Sequence, residues 1–177
     1  MHTNMAEKAS NSIQRAYLLM GGNLGRPEQQ LLRARQLIHA RCGAVLLSSS
    51  MYSTAAWGPI EQPPFLNQAL ILSTHLSPTL LMTTLLAIEE EMGRVRTEKM
   101  GPRTIDIDIL LLDQQILDLP ELKVPHPLLP QRRFALMPLE EIAPFLVHPV
   151  LKKNIRQLLN ECNDPGDVQK KAGWLGE

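Results

Sequence analysis

The apolar positions fall into short runs and helical stripes punctuated by glycine and proline, and their spacing predicts alternating strands and helices. Ala16–Met20 is a five-residue apolar run closed by Gly21-Gly22, the pattern of a buried strand with a sharp exit. From Pro27, a good first-turn residue, Leu31, Ala34 and Ile38 recur at helical spacing until Gly43 supplies a stop. Ala44–Ser53 reads as a strand with Val45, Leu47 and Met51 on one side. A loop rich in proline and glycine follows over Thr54–Pro64. Phe65–Thr74 is the next strand, and Ser77-Pro78 opens a helix whose stripe is Leu81, Leu85, Ile88 and Met92. After Gly93 comes a polar loop with Arg94, Arg96, Lys99 and Arg103, then the strongest strand pattern in the chain, Thr104–Leu112.

The order β-α-β-β-α-β predicts an α+β fold, a ferredoxin-like core in which two helices cover a mainly antiparallel sheet. Beyond it, Pro125, Pro127, Pro130, Pro138, Pro144 and Pro149 cut the chain into short pieces, with a helical turn expected at Leu139–Ile142 and a helix near Asn154–Asn160. These added C-terminal elements are expected to pack around one domain over residues 15–163, with a flexible tail over 1–14 and a frayed one over 164–177.

Composition changes the picture mainly by exclusion. At 177 residues, 44% hydrophobic and 20% charged, the chain is long enough to bury a core without staples. Eighteen basic residues balance eighteen acidic ones, so no whole-molecule field favours a nucleic acid or an anionic membrane, and any phosphate binding must be local. Residues 1–12 are polar and no apolar run approaches the ~18 residues that span a bilayer, so the expectation is a cytoplasmic protein with no membrane partner. Cys42 and Cys162 lack CxxC spacing and are expected as reduced thiols. A monomer is expected, with a homodimer left open.

The sharpest chemical signal is Thr104-Ile-Asp-Ile-Asp-Ile. Side chains alternate along a strand, so Asp106 and Asp108 share a face ~6.6 Å apart while Ile105, Ile107 and Ile109 take the other. Farther along, the acidic face is expected to become Leu110 and Leu112. Two adjacent carboxylates repel, and a hard divalent cation such as magnesium suits oxygen ligands placed this way. The plainer alternatives are solvated acids or acids paired with nearby arginines. Arg94, Arg96, Lys99 and Arg103 just upstream, with His126, Arg132 and Arg133 downstream, suit phosphate oxygens. Gly21-Gly22-Asn23-Leu24-Gly25 lacks the spacing of a phosphate loop, and close approach by a ligand or another loop is enough to explain its glycines. Among only seven aromatic residues, Trp57 and Phe65 bracket the proline-rich loop and Phe134 sits in the later basic segment. With Asn67 on the strand face of Phe65, they could sandwich a flat heteroaromatic ligand, a reading that weighs about equally with a packing cluster under a loop.

Together these motifs resemble the 6-hydroxymethyl-7,8-dihydropterin pyrophosphokinase family from about Tyr17 to Pro144. The resemblance rests on Tyr17-Leu-Leu-Met-Gly-Gly-Asn-Leu, Tyr52-Ser-Thr, Trp57-Gly-Pro, Gln62-Pro-Pro-Phe-Leu-Asn, Gly93-Arg-Val-Arg and above all Gly101-Pro-Arg-Thr-Ile-Asp-Ile-Asp-Ile. Val124-Pro-His-Pro, Arg132, Phe134 and Pro138-Leu-Glu-Glu-Ile-Ala-Pro complete it. It implies transfer of diphosphate from ATP to the hydroxymethyl group of the dihydropterin, with AMP as the second product, as a step of folate biosynthesis. It also implies two Mg2+ ions on Asp106 and Asp108, with Arg94 and Arg103 catalytic beside them. ATP would be held by Arg94, Arg96, Lys99, Arg103, Ile109, His126 and Arg132, and the pterin by Thr54, Ala55, Trp57, Phe65, Asn67 and Phe134. Glu89 matches a family acid near the site. Many members have two prolines where Ala55-Ala56 stand, and basic and aromatic residues where Lys99 and Met100 precede Gly101. A lid over residues 94–101 is therefore expected to close less tightly than in relatives.

Two readings of other classes compete. A ferredoxin-like binding module would recognise a nucleotide without needing a metal. A metal-dependent nuclease or phosphohydrolase would use Asp106 and Asp108, though the neutral charge balance disfavours a polymer substrate.

Overall fold

A computed structural model describes residues 12–56, 58–95 and 101–172. Its strands are β1 (Gln14–Gly22), β2 (Ala44–Ser48), β3 (Tyr52–Thr54), β4 (Phe65–Thr74), β5 (Asp106–Leu112), β6 (Leu117–Asp118), β7 (Lys123–Val124) and β8 (Val168–Lys170). Its helices are α1 (Pro27–Arg41), α2 (Pro78–Glu91), α3 (Arg133–Ile142) and α4 (Ile155–Glu161), with a 3-10 turn at Leu129–Gln131. The fold is α+β. The main sheet runs β5-β1-β4-β3-β8 with β2 also on β4, and its paired strands are antiparallel.

Alternation along β1 and β4 makes both faces of the sheet apolar, so each needs a cover. Ala16, Leu18 and Met20 face α1 and α2, meeting Leu31, Ala34 and Ile38 of the first helix and Leu81, Leu85 and Ile88 of the second. Tyr17 and Leu19 face the other way, onto Ala135, Leu136 and Leu139 of α3 and Ile155 and Leu158 of α4. Both helical stripes on the first face fall where their spacing places them. The Ser77 hydroxyl caps α2 by accepting from the Leu80 N–H. Gly43, at φ 141°, ends the first helix where a Cβ would come 2.0 Å from the Ser73 carbonyl oxygen, a contact only glycine avoids.

Five expectations are corrected. The strand expected over 44–53 is two strands that meet β4 along different stretches, β2 on residues 70–73 and β3 on residues 65–67, and within β2 the register shifts between Val45 and Leu47. Leu47 consequently leaves the face of Val45 and Met51 and is 52% exposed. A second register shift, on β1 opposite β5, puts Leu110 and Leu111 together on the α3 face. Leu112 thereby joins Ile105, Ile107 and Ile109 under α1 and α2 rather than extending the acidic face. The single turn expected at 139–142 is the end of a ten-residue helix, α3, that tolerates Pro138 inside it. Residues 164–172 are not frayed: Asp164 is buried and β8 pairs with β3, from Tyr52↔Lys170 to Thr54↔Val168. Gln14, assigned to the N-terminal tail, is the first residue of β1.

Candidate active site

Register alone builds the floor of a cleft. Gly21 lies opposite Asn67 on one side and Asp106 on the other, and Leu19 lies opposite Asp108, all on the α3 side of the sheet. Gly21 matters because it has no side chain: a Cβ there would come 2.3 Å from Asn67 Oδ1, closing the space between the amide and the acids. The resulting cleft, about 460 Å³, is lined by Thr54, Ala55, Phe65 and Asn67 at one end and by Asp106, Asp108 and Arg103 at the other. Leu128, Gln131, Arg132 and Phe134, from the 3-10 turn and the start of α3, form its wall. A cavity of this size with a few convergent polar groups suits a small organic ligand.

At the amide end, Asn67 donates through Nδ2 to Thr54 Oγ1 at 3.2 Å, which fixes which edge of the amide faces the cleft. Phe65 and Phe134 supply rings, each with an arginine over it: Arg103 5.1 Å from the Phe65 centroid and Arg132 5.5 Å from that of Phe134.

The acid pair is electrically asymmetric. Asp106 accepts from Arg94 through Oδ1 and from Arg103 at 3.0 Å through Oδ2. Burial pushes its pKa up, but the two guanidiniums outweigh that and hold it below the ordinary value. Asp108, two residues on, is pushed up to about 7 by burial and by the Asp106 charge, with Glu89 adding to the rise while Arg132 and Arg94 offset only part of it. Such a carboxyl takes up a proton or a cation readily.

Glu89 braces this edge from α2. It accepts from the Ile107 N–H at 2.6 Å, between the two acids, and pairs with Arg94 at 3.3 Å. The loops at the mouth are tied through Asn23. Its side chain accepts from the Arg103 N–H at 3.0 Å and donates to Gln62 at 3.0 Å and to the Pro63 carbonyl at 2.8 Å. Gly22 permits this, since a Cβ would sit 2.3 Å from the Thr104 carbonyl. The glycine turn thus serves close approach by another loop.

Nine of the predicted residues line the cleft: Thr54, Ala55, Phe65, Asn67, Arg103, Asp106, Asp108, Arg132 and Phe134. Arg94 joins them through its ion pair with Asp106, so the arginine-paired reading of the acids holds for Asp106. His126 is set beside them by its N–H bond to the Leu110 carbonyl at 2.9 Å, and burial, then Arg132, lowers its pKa. The Ile109 side chain does not reach the cleft. It is 6% exposed in the core under α1 and α2, which leaves only its backbone to a ligand. Trp57, Arg96, Lys99 and most of the expected lid lie outside the described residues.

Sequence reasoning missed Leu19, Gly21, Leu128 and Gln131 as lining residues. Leu19 and Gly21 were accessible through strand alternation once β1 is placed beside β5. Leu128 and Gln131 carry no periodic signal, because they sit in a segment broken by Pro127 and Pro130.

The sequence profile of the 7,8-dihydro-6-hydroxymethylpterin-pyrophosphokinase family matches residues 17–144. The Pseudomonas aeruginosa 2-amino-4-hydroxy-6-hydroxymethyldihydropteridine pyrophosphokinase is 44% identical over 154 residues, 85% of this chain and 93% of that protein. The Synechocystis protein of the same name is 41% identical, over 81% of this chain and 74% of its own. A crystal structure of Plasmodium falciparum HPPK-DHPS with pteroate superposes with a TM-score of 0.72 over 87% of this chain and 43% of that one; at 17% identity it speaks to the fold alone. With a profile match over most of its length and relatives above 40% identity, the chain belongs to the 7,8-dihydro-6-hydroxymethylpterin-pyrophosphokinase family.

Proposed function

We propose that this cleft is where the family reaction takes place, with the pterin at the amide end and the ATP phosphates at the acid end. The chain is a diphosphotransferase of folate biosynthesis: it moves diphosphate from ATP to 6-hydroxymethyl-7,8-dihydropterin. The single observation that carries the placement is the row Asn67, Gly21, Asp106, which joins a ring-binding end to a charged end across one open glycine.

Phe65 and Phe134 would hold the pterin ring, and Asn67, oriented by Thr54, would match its donor–acceptor edge. Ala55 and Trp57 would contribute from the loop after β3. Arg94, Arg103, His126 and Arg132 would take the phosphates, with Arg96 and Lys99 from the loop before Gly101 and the Ile109 backbone beneath the nucleotide. The donor set suits Mg2+: two carboxylate groups on one face, one of them, Asp108, lacking enough nearby positive charge to stay ionised below about pH 7. Asp106 and Asp108 would hold two Mg2+ ions, which would supply positive charge against the phosphates. The arginines on Asp106 would offset the charge that gathers on the leaving AMP, and the apolar Leu19 side chain would leave little room for water to compete with the hydroxymethyl oxygen. That oxygen bonds to the β-phosphorus as the bond to the α,β-bridging oxygen breaks, so AMP departs carrying the bridging oxygen and its electron pair while the hydroxyl proton is released to solvent.

The same reading takes the β5-β1-β4-β3 order, with α1 and α2 on one face, as the ferredoxin-like core. It takes residues 15–163 as the core of one domain that acts as a monomer, and the cytoplasm, where ATP and reduced pterins meet, as its place of work. Among the described residues no helix is long and apolar enough to cross a membrane. The test is incubation with ATP, Mg2+ and the hydroxymethyl-dihydropterin with nucleotides resolved. AMP and a pterin diphosphate in equal amounts are expected; ADP with a pterin monophosphate overturns the β-phosphorus assignment.

A further inference from the structure

The wall of the cleft hangs on a contact with the C-terminal segment. Arg132 and Phe134 face the cleft from the start of α3, and the residue between them, Arg133, turns away from it. The Arg133 N–H donates to Asp164 Oδ2 at 3.1 Å, its Nε to the Asp164 carbonyl at 3.0 Å, and its Nη2 to the Cys162 carbonyl at 3.0 Å. Asp164 is in turn held by the Gly166 N–H, which donates to Oδ1 at 2.9 Å, and the chain then runs into β8 on the edge of β3. Asp164 is 9% exposed.

Helix α3 has no side-chain cap of its own, because the N-cap position is Arg132, whose backbone is extended and whose guanidinium lies over Phe134. The Asp164 carboxylate serves as a cap from 31 residues away: it satisfies the first helical N–H and places negative charge at the helix N-terminus. Two directions of freedom are removed at once, the pitch of the first turn by the backbone bond and its rotation by the guanidinium fork. Phe134, one residue on, inherits both constraints.

We propose that Asp164, acting through Arg133, is a positioning residue for the cleft, and that the segment from Cys162 to β8 is a strap that fixes the angle at which Phe134 and Arg132 meet the substrates. The strap lies beyond residue 144, where the family match stops. The proposal rests on the reading of Phe134 as a pterin contact. Neither Asp164 nor Arg133 lines the cleft, so their effect falls on binding geometry rather than on the reacting atoms.

The test measures binding of 6-hydroxymethylpterin, through its own fluorescence, with Mg2+ and a non-hydrolysable ATP analogue present, together with KM, kcat and Tm. Asp164→Ala is expected to raise the pterin Kd roughly ten-fold, the equivalent of one good contact, and to raise KM with it while kcat changes by less than about two-fold. Asp164→Asn, which keeps one acceptor, recovers part of that loss. Ser77→Ala, which removes the cap of α2 and so costs stability of a similar kind, leaves Kd unchanged. If Asp164→Ala does not fold, Arg133→Lys decides the case: it keeps the N–H bonded to Asp164, loses the fork, and is expected to raise Kd several-fold. A folded Asp164→Ala protein with wild-type Kd, or a Ser77→Ala protein that loses affinity equally, overturns the proposal and leaves Asp164 a stabilising contact only. Phe134→Ala separates the two ideas: wild-type pterin binding by that variant overturns the pocket reading, and the strap's role with it. Weakened binding by Phe134→Ala beside unaltered binding by Asp164→Ala overturns the strap alone.

Discussion

Replacing Asp108 by Asn should make the metal-free protein more stable while removing its activity. The Asp108 carboxyl ordinarily ionises near 3.8 and is pushed up to about 7, first by burial and then by the Asp106 charge. Below about pH 4 the carboxyl is protonated in the folded and unfolded chains alike, and the shift costs nothing. Between 4 and 7 the unfolded chain gives up the proton while the folded one keeps it, so stability falls as pH rises. Above 7 both are ionised and the full penalty stands, ~4 kcal/mol at 1.36 kcal/mol for each pH unit of displacement. An Asn amide still has to be solvated or bonded in the cleft, which reduces the gain to ~2 kcal/mol. For a chain of this size that is an increase in Tm of roughly 4–8 °C.

The assay is thermal unfolding in EDTA, for wild type, Asp106→Asn, Asp108→Asn and the double variant, at pH 5 and pH 8. Asp106→Asn goes the other way, by ~1–3 kcal/mol, because it takes the carboxylate from Arg103 and leaves Arg94 with Glu89 in a half-buried site. The gain from Asp108→Asn should shrink when Asp106 is already neutral, since part of the Asp108 shift is repulsion from that neighbour. Added Mg2+ should raise the Tm of wild type and not that of Asp108→Asn. An Asp108→Asn protein no more stable than wild type at pH 8, or one whose advantage is the same at pH 5, would refute the electrostatic reasoning.

Three further outcomes are expected. Gly22→Ala should cost ~2 kcal/mol or more and depress activity, because the new Cβ collides with the Thr104 carbonyl and pushes the Arg103 loop off Asn23; urea unfolding beside a kinetic assay measures both effects. Asn67→Ala should weaken pterin binding by roughly ten-fold or more while leaving nucleotide affinity nearly intact, since it strips the amide from one end of the cleft only; fluorescence titration with pterin and calorimetry with the ATP analogue separate the two. Glu141 is subject to burial, which raises its pKa, but bonds from the Tyr52 hydroxyl and from the Ser50 N–H and hydroxyl outweigh it and lower the value. The stability this contributes is present above the ordinary carboxylate range and is lost as pH falls through the lowered one, so Tm of Glu141→Gln should converge on that of wild type in acid; a constant difference across pH 3–7 would contradict it.

Much of the site was legible because strand alternation is a strict geometric rule. Asp106 and Asp108 had to share a face, and the structure sets that face beside the glycine end of β1, a juxtaposition that follows from strand pairing rather than from any local pattern. The helices were legible for the same reason: Leu31, Ala34 and Ile38, or Leu81, Leu85 and Ile88, make sense only as one buried side. Period-2 reasoning failed wherever an extra residue entered a strand. The shifts at Val45/Leu47 and at Tyr17/Leu18 reverse the sidedness of the residues beyond them, which is why Leu47 and Leu112 landed on the wrong faces, and neither shift has a glycine or proline to announce it. Helix α3 was hidden by Pro138, read as a breaker, although Arg133 to Pro138 already contain a buried Ala135 and Leu136. The folded course of 164–172 was hidden because its order is borrowed: Asp164 and β8 are held by Arg133 and Tyr52–Thr54, long-range partners that local composition does not encode.

The asymmetry of the acid pair comes from where β5 sits. As the strand at the end of the main sheet it pairs with β1 on one side and leaves the other to α2 and the polar loop, so an arginine and a glutamate can reach it there. Arg94 and Arg103 converge on Asp106, the first residue of β5, where the chain emerges from the loop that carries Arg103. Two residues further into the sheet Asp108 sits opposite Leu19, where burial and the Asp106 charge outweigh what Arg132 and Arg94 supply, and it stays short of positive charge. That depth makes Asp108 the carboxyl that a small, dense cation would relieve most. On the proposed reading the strand gives Asp106 standing arginine partners and leaves Asp108 to gain most from a cation that would arrive with the nucleotide, and the cost of that uncompensated carboxyl falls on the stability of the apoprotein.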